Sequence, residues 1–219
     1  MSFKMKDVFL KIFLFLNQYG KMFFAFKNID IRSEIMVKKI VMGAFALGMV
    51  SSFLIAQDET KLYNPKSEKN HLAIKMEILG NNGNVEAGEI IAVETQYGVA
   101  FYPNLKGIES GIHGFHVHTN PDCGATEKGL GMKAGGHWDP QETKAHSFPW
   151  FDNGHKGDLP ALYSDSKQEV KTPVLAPKIK TLQELKNHSL MIHVGGDNYH
   201  DHPQALGGGG ARMVCGVIK

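Results

Sequence analysis

The chain has little clustered positive charge, few cysteines and no recognisable long amphipathic helix after residue 60, and each of these shortages argues against one class of protein or anchor. Residues 57–219 carry a net charge of −3 with no basic patch, which argues against a nucleic-acid partner although the whole chain is at +2. No cysteine lies near Ala56, so a lipid anchor attached at that point is not expected. No long amphipathic helix is recognisable after residue 60, which argues against a helical fold.

The amino-terminal part resembles an export signal. Lys38 and Lys39 precede the uncharged run Ile40–Ala56, and polar residues follow it, so we predict a signal peptide over residues 36–56. An uncleaved signal that tethers the protein to the membrane stays open as an alternative. Residues 1–35 are expected to be an upstream extension, with translation beginning at Met36. Residues 57–70 are polar and predict a flexible lead-in.

Short alternating segments dominate the rest of the chain. Gly/Asn/Pro turns separate them, including one expected at Pro103-Asn104, and a single helical turn is predicted at Leu182–Lys186. This pattern predicts an all-β, antiparallel sandwich or barrel. The predicted strands are Leu72–Ile78, Glu89–Glu94, Gly98–Tyr102, Gly111–His118, Asp165–Val170 and Ser189–Val194.

Two long segments without clear periodicity, Thr119–Leu159 and Thr172–His188, are predicted to be functional loops. The first contains three histidines and an aspartate, His137, His146, His155 and Asp158, a donor set that suits tetrahedral zinc.

A second histidine group precedes these loops. Side chains at positions i and i+2 leave a strand on the same face, so His116 and His118 form half of a site for copper or zinc. His113 is expected to make structural hydrogen bonds instead of binding metal. His200 and His202 are expected to be exposed to solvent.

The cysteine pair and one arginine complete the residues of interest. Cys123 and Cys215 form an even pair in an exported chain, which predicts one disulfide; two buried free thiols are the alternative. Arg212 is the only arginine after residue 32, which indicates a specific task for it.

Five motifs in order resemble the copper/zinc superoxide dismutase family, and most closely its exported bacterial branch. The likeness covers residues 71–219 and implies a Greek-key sandwich or barrel with one copper and one zinc per subunit. The motifs are Gly114–His118, Gly135–Pro140, Gly154–Asp158, Met191–Asn198 and Gly207–Ile218.

The resemblance also implies a role for individual residues. His137 looks like a ligand shared by both metals, Asp197 like a carboxylate that orients His116 and His146, and Arg212 like the residue that holds the anionic substrate. Cys123 and Cys215 match the family's disulfide pair. The implied copper ligands are His116, His118, His137 and His193, and the implied zinc ligands are His137, His146, His155 and Asp158.

The implied activity is dismutation of superoxide to oxygen and hydrogen peroxide in the periplasm, with His137 and Arg212 as catalytic residues. Lysines expected to attract the anion are Lys128, Lys133, Lys144 and Lys156. A homodimer and a copper-delivery partner are compatible with this activity. Two alternatives stay open: an exported copper-storage protein without turnover, and a purely structural zinc domain.

Overall fold

Short strands carry most of the regular structure in the computed structural model, which describes residues 63–219. The predicted signal peptide and upstream extension lie outside the described residues. The one α-helix of the described part, α1, spans Leu182–Leu185, and three-residue 3-10 turns occur at Pro65–Ser67, Met132–Ala134 and Leu206–Gly208. The strands are β1 (His71–Ile78), β2 (Val85–Thr95), β3 (Gly98–Lys106), β4 (Gly111–His113), β5 (Phe115–His118), β6 (Leu162–Ser164), β7 (Glu169–Val170), β8 (Val174–Ala176), β9 (Ser189–His193) and β10 (Arg212–Val217).

The strands form one large antiparallel sheet and one small one. The large sheet has the order β5-β9-β10-β1-β2-β3-β7, with β8 also paired to β3, and the small sheet pairs β4 with β6. The neighbours β5–β9 and β1–β10 are far apart in sequence, so long connections join them, as in Greek-key folds. The predicted all-β, antiparallel architecture is confirmed.

Alternating side chains build the core. On β1, Ile74 and Met76 are buried while the alternating Lys75 and Glu77 are exposed, as the sequence pattern predicts. Phe101 of β3 and Phe115 of β5 meet edge to face with ring centroids 5.5 Å apart, and both rings are fully buried. The strand that carries His116 and His118 is therefore anchored in the core at its first residue.

The predicted strand Gly111–His118 is two strands that separate at Gly114. β4 pairs with β6, whereas β5 pairs with β9. A Cβ atom at Gly114 would lie 3.1 Å from the carbonyl oxygen of Gly196 and 3.2 Å from Cε1 of His116. Glycine is therefore what fits at the point where the chain passes from one sheet to the other.

Two other sequence predictions are wrong. β3 does not turn at Pro103 but continues to Lys106. Pro103 lies between the segments of β3 that pair with β8 and β7, where that side of the strand is open and a missing N–H is tolerated. The predicted strand Asp165–Val170 is mostly a turn, because Oδ1 of Asp165 accepts hydrogen bonds from the backbone N–H of Lys167 and Glu169.

The long segments differ from each other. Thr119–Leu159 contains no strand, but isolated bridges join His116 to Asp158 and His118 to His137, so the loop lies directly against β5. Thr172–His188 is more regular than predicted, since it contains β8, and α1 confirms the helical turn predicted at Leu182–Lys186. No helix among residues 63–219 has the length and apolar character needed to cross a membrane.

Residues 63–70, the described end of the predicted lead-in, contact the large sheet. The rings of Tyr63 and Tyr102 have centroids 5.2 Å apart, and Nζ of Lys66 lies 2.5 Å from a carboxylate oxygen of Glu89.

Candidate metal centre

Four histidine rings converge at the end of the β5–β9 pair. His193, the last residue of β9, donates its backbone N–H to the carbonyl of Gly114, which brings its ring beside β5. Its Nε2 lies 3.4 Å from Nε2 of His118. The loop adds His137, whose ring stacks on that of His116 with centroids 3.9 Å apart. One nitrogen from each of these four buried residues lies within 4.8 Å of the others.

A second group forms around one carboxylate oxygen of the loop. Oδ1 of Asp158 lies 3.0 Å from Nδ1 of His137, 2.9 Å from Nδ1 of His146 and 3.2 Å from Nδ1 of His155. Oδ2 of the same carboxylate accepts a hydrogen bond from the backbone N–H of Ser147. Three imidazole nitrogens therefore point at one anionic oxygen in a buried site.

The carboxylate of Asp197 contacts one histidine of each group. Its Oδ2 lies 2.8 Å from Nε2 of His116, and its Oδ1 lies 2.8 Å from Nε2 of His146. A Cβ at Gly207, which has a φ of +73°, would lie 2.1 Å from Oδ1 of Asp197. Glycine at 207 is thus required for this carboxylate to occupy its position.

The donor sets fit the two metals that the sequence implied. Nδ1 of His116 is buried and has no hydrogen-bond partner within residues 63–219, which is the state expected of a nitrogen reserved for an ion. The all-imidazole group suits copper, and three histidines with one carboxylate suit zinc. By proximity alone, the second group takes in His116 as well. His155 is the candidate we propose for this group, because its Nδ1 also lies 3.2 Å from Oδ1 of Asp158.

Burial keeps the copper-side rings neutral. It lowers the pKa of His116 and His118 well below the ordinary value and lowers the pKa of His193 to about 4. His146 behaves in the opposite way: burial lowers its pKa, but the carboxylates of Asp158 and Asp197 outweigh that effect and raise it to about 9. Neutral imidazole is the form that binds a metal ion.

These pKa values predict the pH dependence of the metal-free protein. Between about pH 4 and 6.5 the unfolded chain binds a proton that folded His193 does not, so stability should rise with pH. Between about 6.5 and 9 folded His146 keeps a proton that the unfolded chain has lost, so stability should fall. Thermal melting after chelation should therefore show a maximum near pH 6.5.

The exposed His200 supplies the control for this prediction. His146→Ala should remove the fall above pH 6.5, whereas His200→Ala should leave the profile unchanged. A parent profile that keeps rising from pH 6.5 to 9 would contradict the prediction.

Arg212 lines a cavity that opens onto the four-histidine group. It lies opposite His193 in the β9–β10 pair, and its guanidinium donates to the carbonyls of Gly131 and Gly135 at 2.6 and 2.5 Å. The cavity has a volume of about 330 Å³. Its charged and imidazole lining consists of Arg212, Lys128, His118, His137 and His193.

The four lysines named from the sequence have different surroundings. Lys128 lines the cavity, and Lys133 and Lys144 are exposed. Lys156 is half-buried in an ion pair with Glu184, so it is not a free cation at the cavity mouth. Of the four, Lys128 is the one placed to act on an anion in the cavity.

Cys123 and Cys215 form a disulfide, with Cα atoms 5.8 Å apart. The prediction of one bond is confirmed, and the alternative of two free thiols is wrong. The bond joins the ligand-bearing loop to β10, the strand that also carries Arg212.

The remaining histidines lie outside both groups. His113 is buried, and its two ring nitrogens contact the backbone carbonyls of His193 and Glu109, so the structural role predicted for it is confirmed. His200 and His202 are exposed, as predicted.

Sequence reasoning missed two residues outside the zinc-side loop that contact it. Lys178 and Glu184, from the segment Thr172–His188, contact the backbone of His155 and the side chain of Lys156. Nothing in their local sequence marks them, because the contacts join positions 23 and 28 residues apart.

Comparison with known proteins agrees with this centre. A model of the copper/zinc superoxide dismutase (SODC) family matches residues 81–218. The chain is 49% identical over 184 residues to the copper-zinc superoxide dismutase of Actinobacillus pleuropneumoniae, which covers 80% of this chain and 96% of the relative. The Brucella abortus enzyme structure covers 68% of this chain and 100% of its own, with 44% identity and a TM-score of 0.66.

A solution structure of the monomeric Salmonella enterica enzyme covers 68% of this chain and 100% of its own, with 42% identity and a TM-score of 0.61. The family model, the relatives and the two converging histidine groups all lead to one conclusion: the chain belongs to the copper/zinc superoxide dismutase family.

Proposed function

We propose that the protein converts two superoxide anions and two protons into oxygen and hydrogen peroxide, with His137 shared between the copper and zinc sites. The observation that supports this most strongly is the ring of His137. Its Nδ1 faces Asp158, and the ring also belongs to the four-histidine group beside the cavity. The copper ligands are His116, His118, His137 and His193; the zinc ligands are His137, His146, His155 and Asp158.

The ligand sets divide the chemistry between the two ions. When bound, copper supplies one-electron redox chemistry, whereas zinc has a filled d shell and supplies only fixed charge and geometry. Asp197 orients His116 and His146 through its two oxygens, which fixes which nitrogen of each ring is free for an ion. The protein thus presents Nδ1 of His116 to one site and Nδ1 of His146 to the other.

His137 is the residue placed to deliver a proton. Its Nδ1 lies 3.0 Å from Oδ1 of Asp158, in the proposed zinc site, so Nε2 is the ring nitrogen on the cavity side. Nε2 would carry a proton when zinc occupies Nδ1 and copper is not bound to Nε2. A proton held at Nε2 is available to the reduced oxygen species in the cavity. The second proton of hydrogen peroxide comes from water.

Arg212 is the residue placed to bind the superoxide anion. A guanidinium keeps its charge throughout the working pH range, and this one is fixed by two backbone carbonyls. The described body of the protein is acidic overall, so attraction of an anion must come from local charge. Arg212, with Lys128 at the same cavity, supplies that local charge.

Replacing Arg212 tests this role. Arg212→Ala should leave the metal content intact, lower kcat/KM on the order of tenfold at low ionic strength, and flatten the salt dependence of the rate. Arg212→Lys should retain part of the salt dependence because it keeps a charge. Pulse radiolysis at several salt concentrations measures both effects.

Lys144→Ala is the matched control, since it removes an exposed loop cation away from the cavity lining. It should behave like the parent protein. Unchanged activity of Arg212→Ala at low ionic strength would refute the assigned role.

The proposal also includes export to the periplasm and protection of that compartment from superoxide. The uncharged run Ile40–Ala56 after Lys38-Lys39 supports cleavage of a signal peptide. Sequencing the amino terminus of the mature protein tests it, since a tethered chain would retain this run. A homodimer and a copper-delivery partner belong to the same proposal. Sedimentation of the mature protein tests the homodimer, in which we place the exposed Trp150 at the interface.

A further inference from the structure

The segment Thr172–His188 contacts the zinc-side loop at three places that the dismutase chemistry does not use. Nζ of Lys178 donates to the backbone carbonyl of His155 at 2.5 Å. The carboxylate of Glu184 forms an ion pair with Lys156, which lies between two proposed zinc ligands in sequence. The ring of His188 lies against that of Trp138, the neighbour of His137, with centroids 4.5 Å apart and an angle of 37° between the planes.

We propose that this segment, which we call the brace, holds the zinc-ligand loop in its metal-binding shape, with Lys178 as the principal positioning residue. The inference rests on the proposed zinc ligands. It assigns a purpose to the second long segment that the sequence marked as functional.

The turn that Lys178 contacts carries two ligands at once. The carbonyl oxygen of His155 accepts both from Nζ of Lys178 and from the backbone N–H of Asp158, the latter at 3.2 Å. His155 is also the most exposed of the four proposed ligands: its side chain is 10% exposed, against 1% for His137. As the least buried of the four, His155 depends more than the others on contacts that fix its backbone.

The second contact, the ion pair of Glu184, holds Lys156, which lies between His155 and Asp158 in sequence. Lys156 has its ammonium group 5.1 Å from the centroid of the Trp138 ring while it pairs with Glu184. Its side chain is therefore fixed between the brace and the residue that follows His137. This arrangement restricts the turn from its outer side.

The brace is itself rigid, so it can impose a position. Ile179 and Leu185 are fully buried in the core, and β8 pairs with β3. Glu184 is held on its other oxygen, since Oε1 accepts from the backbone N–H of Lys180 and Thr181 at the start of α1. Contacts that order the loop independently of the ion would remove part of the entropy cost of binding zinc.

An opposing effect must be weighed, because an ammonium group near a zinc ion repels it. Burial lowers the pKa of Lys178, whereas the nearby carboxylates of Asp158, Asp152 and Asp139 favour its charged form. Their negative charge offsets the repulsion, and the ordering effect should then dominate. Replacing Lys178 should therefore weaken zinc binding, whereas a dominant repulsion would strengthen it.

The experiment measures zinc affinity of the copper-loaded full chain by competition with a chelator, and records the visible spectrum of cobalt(II) as a stand-in for zinc. Lys178→Met should lower zinc affinity on the order of tenfold, as for other residues that orient ligands, and alter the cobalt spectrum. Copper affinity, measured in the absence of zinc, should be unchanged. Lys178→Arg, which keeps a charged donor, should restore most of the loss.

Lys180→Met is the matched control, because among residues 63–219 the hydrogen-bond partner of its ammonium group is the carbonyl of Pro177, which lies within the brace itself. It should bind zinc like the parent. If Lys178→Met does not fold, Glu184→Gln tests the second contact and should also weaken zinc binding. Zinc affinity equal to or above that of the parent in the folded variant, or equal loss of both metals, would overturn the proposal.

Asp158→Asn, measured in parallel, separates this proposal from the one it rests on. If Asp158→Asn retains zinc, the ligand assignment itself is wrong. If Asp158→Asn loses zinc while Lys178→Met does not, only the role of the brace is wrong.

Discussion

Asp158→Asn is expected to lose zinc while it still binds copper. Oδ1 of Asp158 is the point on which three imidazole nitrogens converge, and it is the one anionic donor of the proposed set. A neutral amide cannot replace that charge, so zinc affinity should fall by more than the roughly 100-fold seen when a residue that only orients ligands is lost. Metal analysis after dialysis against a chelator measures the effect.

Glu127→Gln provides the control, because it neutralises an exposed carboxylate of the same loop. It should retain both metals. Retention of a full zinc equivalent by Asp158→Asn would mean that the converging rings hold the ion without the carboxylate.

Removal of the Cys123–Cys215 disulfide should produce the largest loss of stability of any change at the centre. The bond joins residues 92 positions apart. Closing a loop of this length restricts the unfolded chain by about 4–5 kcal/mol. Cys123→Ser/Cys215→Ser should therefore lower the free energy of unfolding by this amount, measured by denaturant titration of the metal-free protein.

Reduction supplies an internal control for the disulfide prediction. A reducing agent should lower the stability of the parent to that of the double variant and leave the variant itself unchanged. Equal stability of the oxidised parent and the double variant would contradict the prediction.

The proposed ligands could be identified from the sequence because their chemistry is local or is carried by motifs. His116 and His118 are two positions apart on one strand, and alternation alone places them on one face. The pairing of Cys123 with Cys215 needed only an even count and an exported chain. The position of His193 beside them depends on β9 pairing with β5, so only the family resemblance supplied it.

The features that were predicted wrongly from the sequence depend on contacts between residues far apart in the chain. Gly114 interrupts a run that alternates well, because the chain changes sheets there and passes close to Gly196. A proline usually ends a strand, but β3 continues through Pro103 because this residue lies opposite the gap between β7 and β8. Lys178 became recognisable only once the fold brought it to the carbonyl of His155.

The carboxylate of Asp197 has a consequence for how the enzyme acquires its ions. Its two oxygens are shared between His116 and His146, so a rotation of either ring displaces an anchor of the other. Filling one position should therefore alter the occupancy curve of its neighbour, and by thermodynamic reciprocity the influence must run equally in both directions. The order in which copper and zinc are loaded then changes the route of assembly but not the final equilibrium.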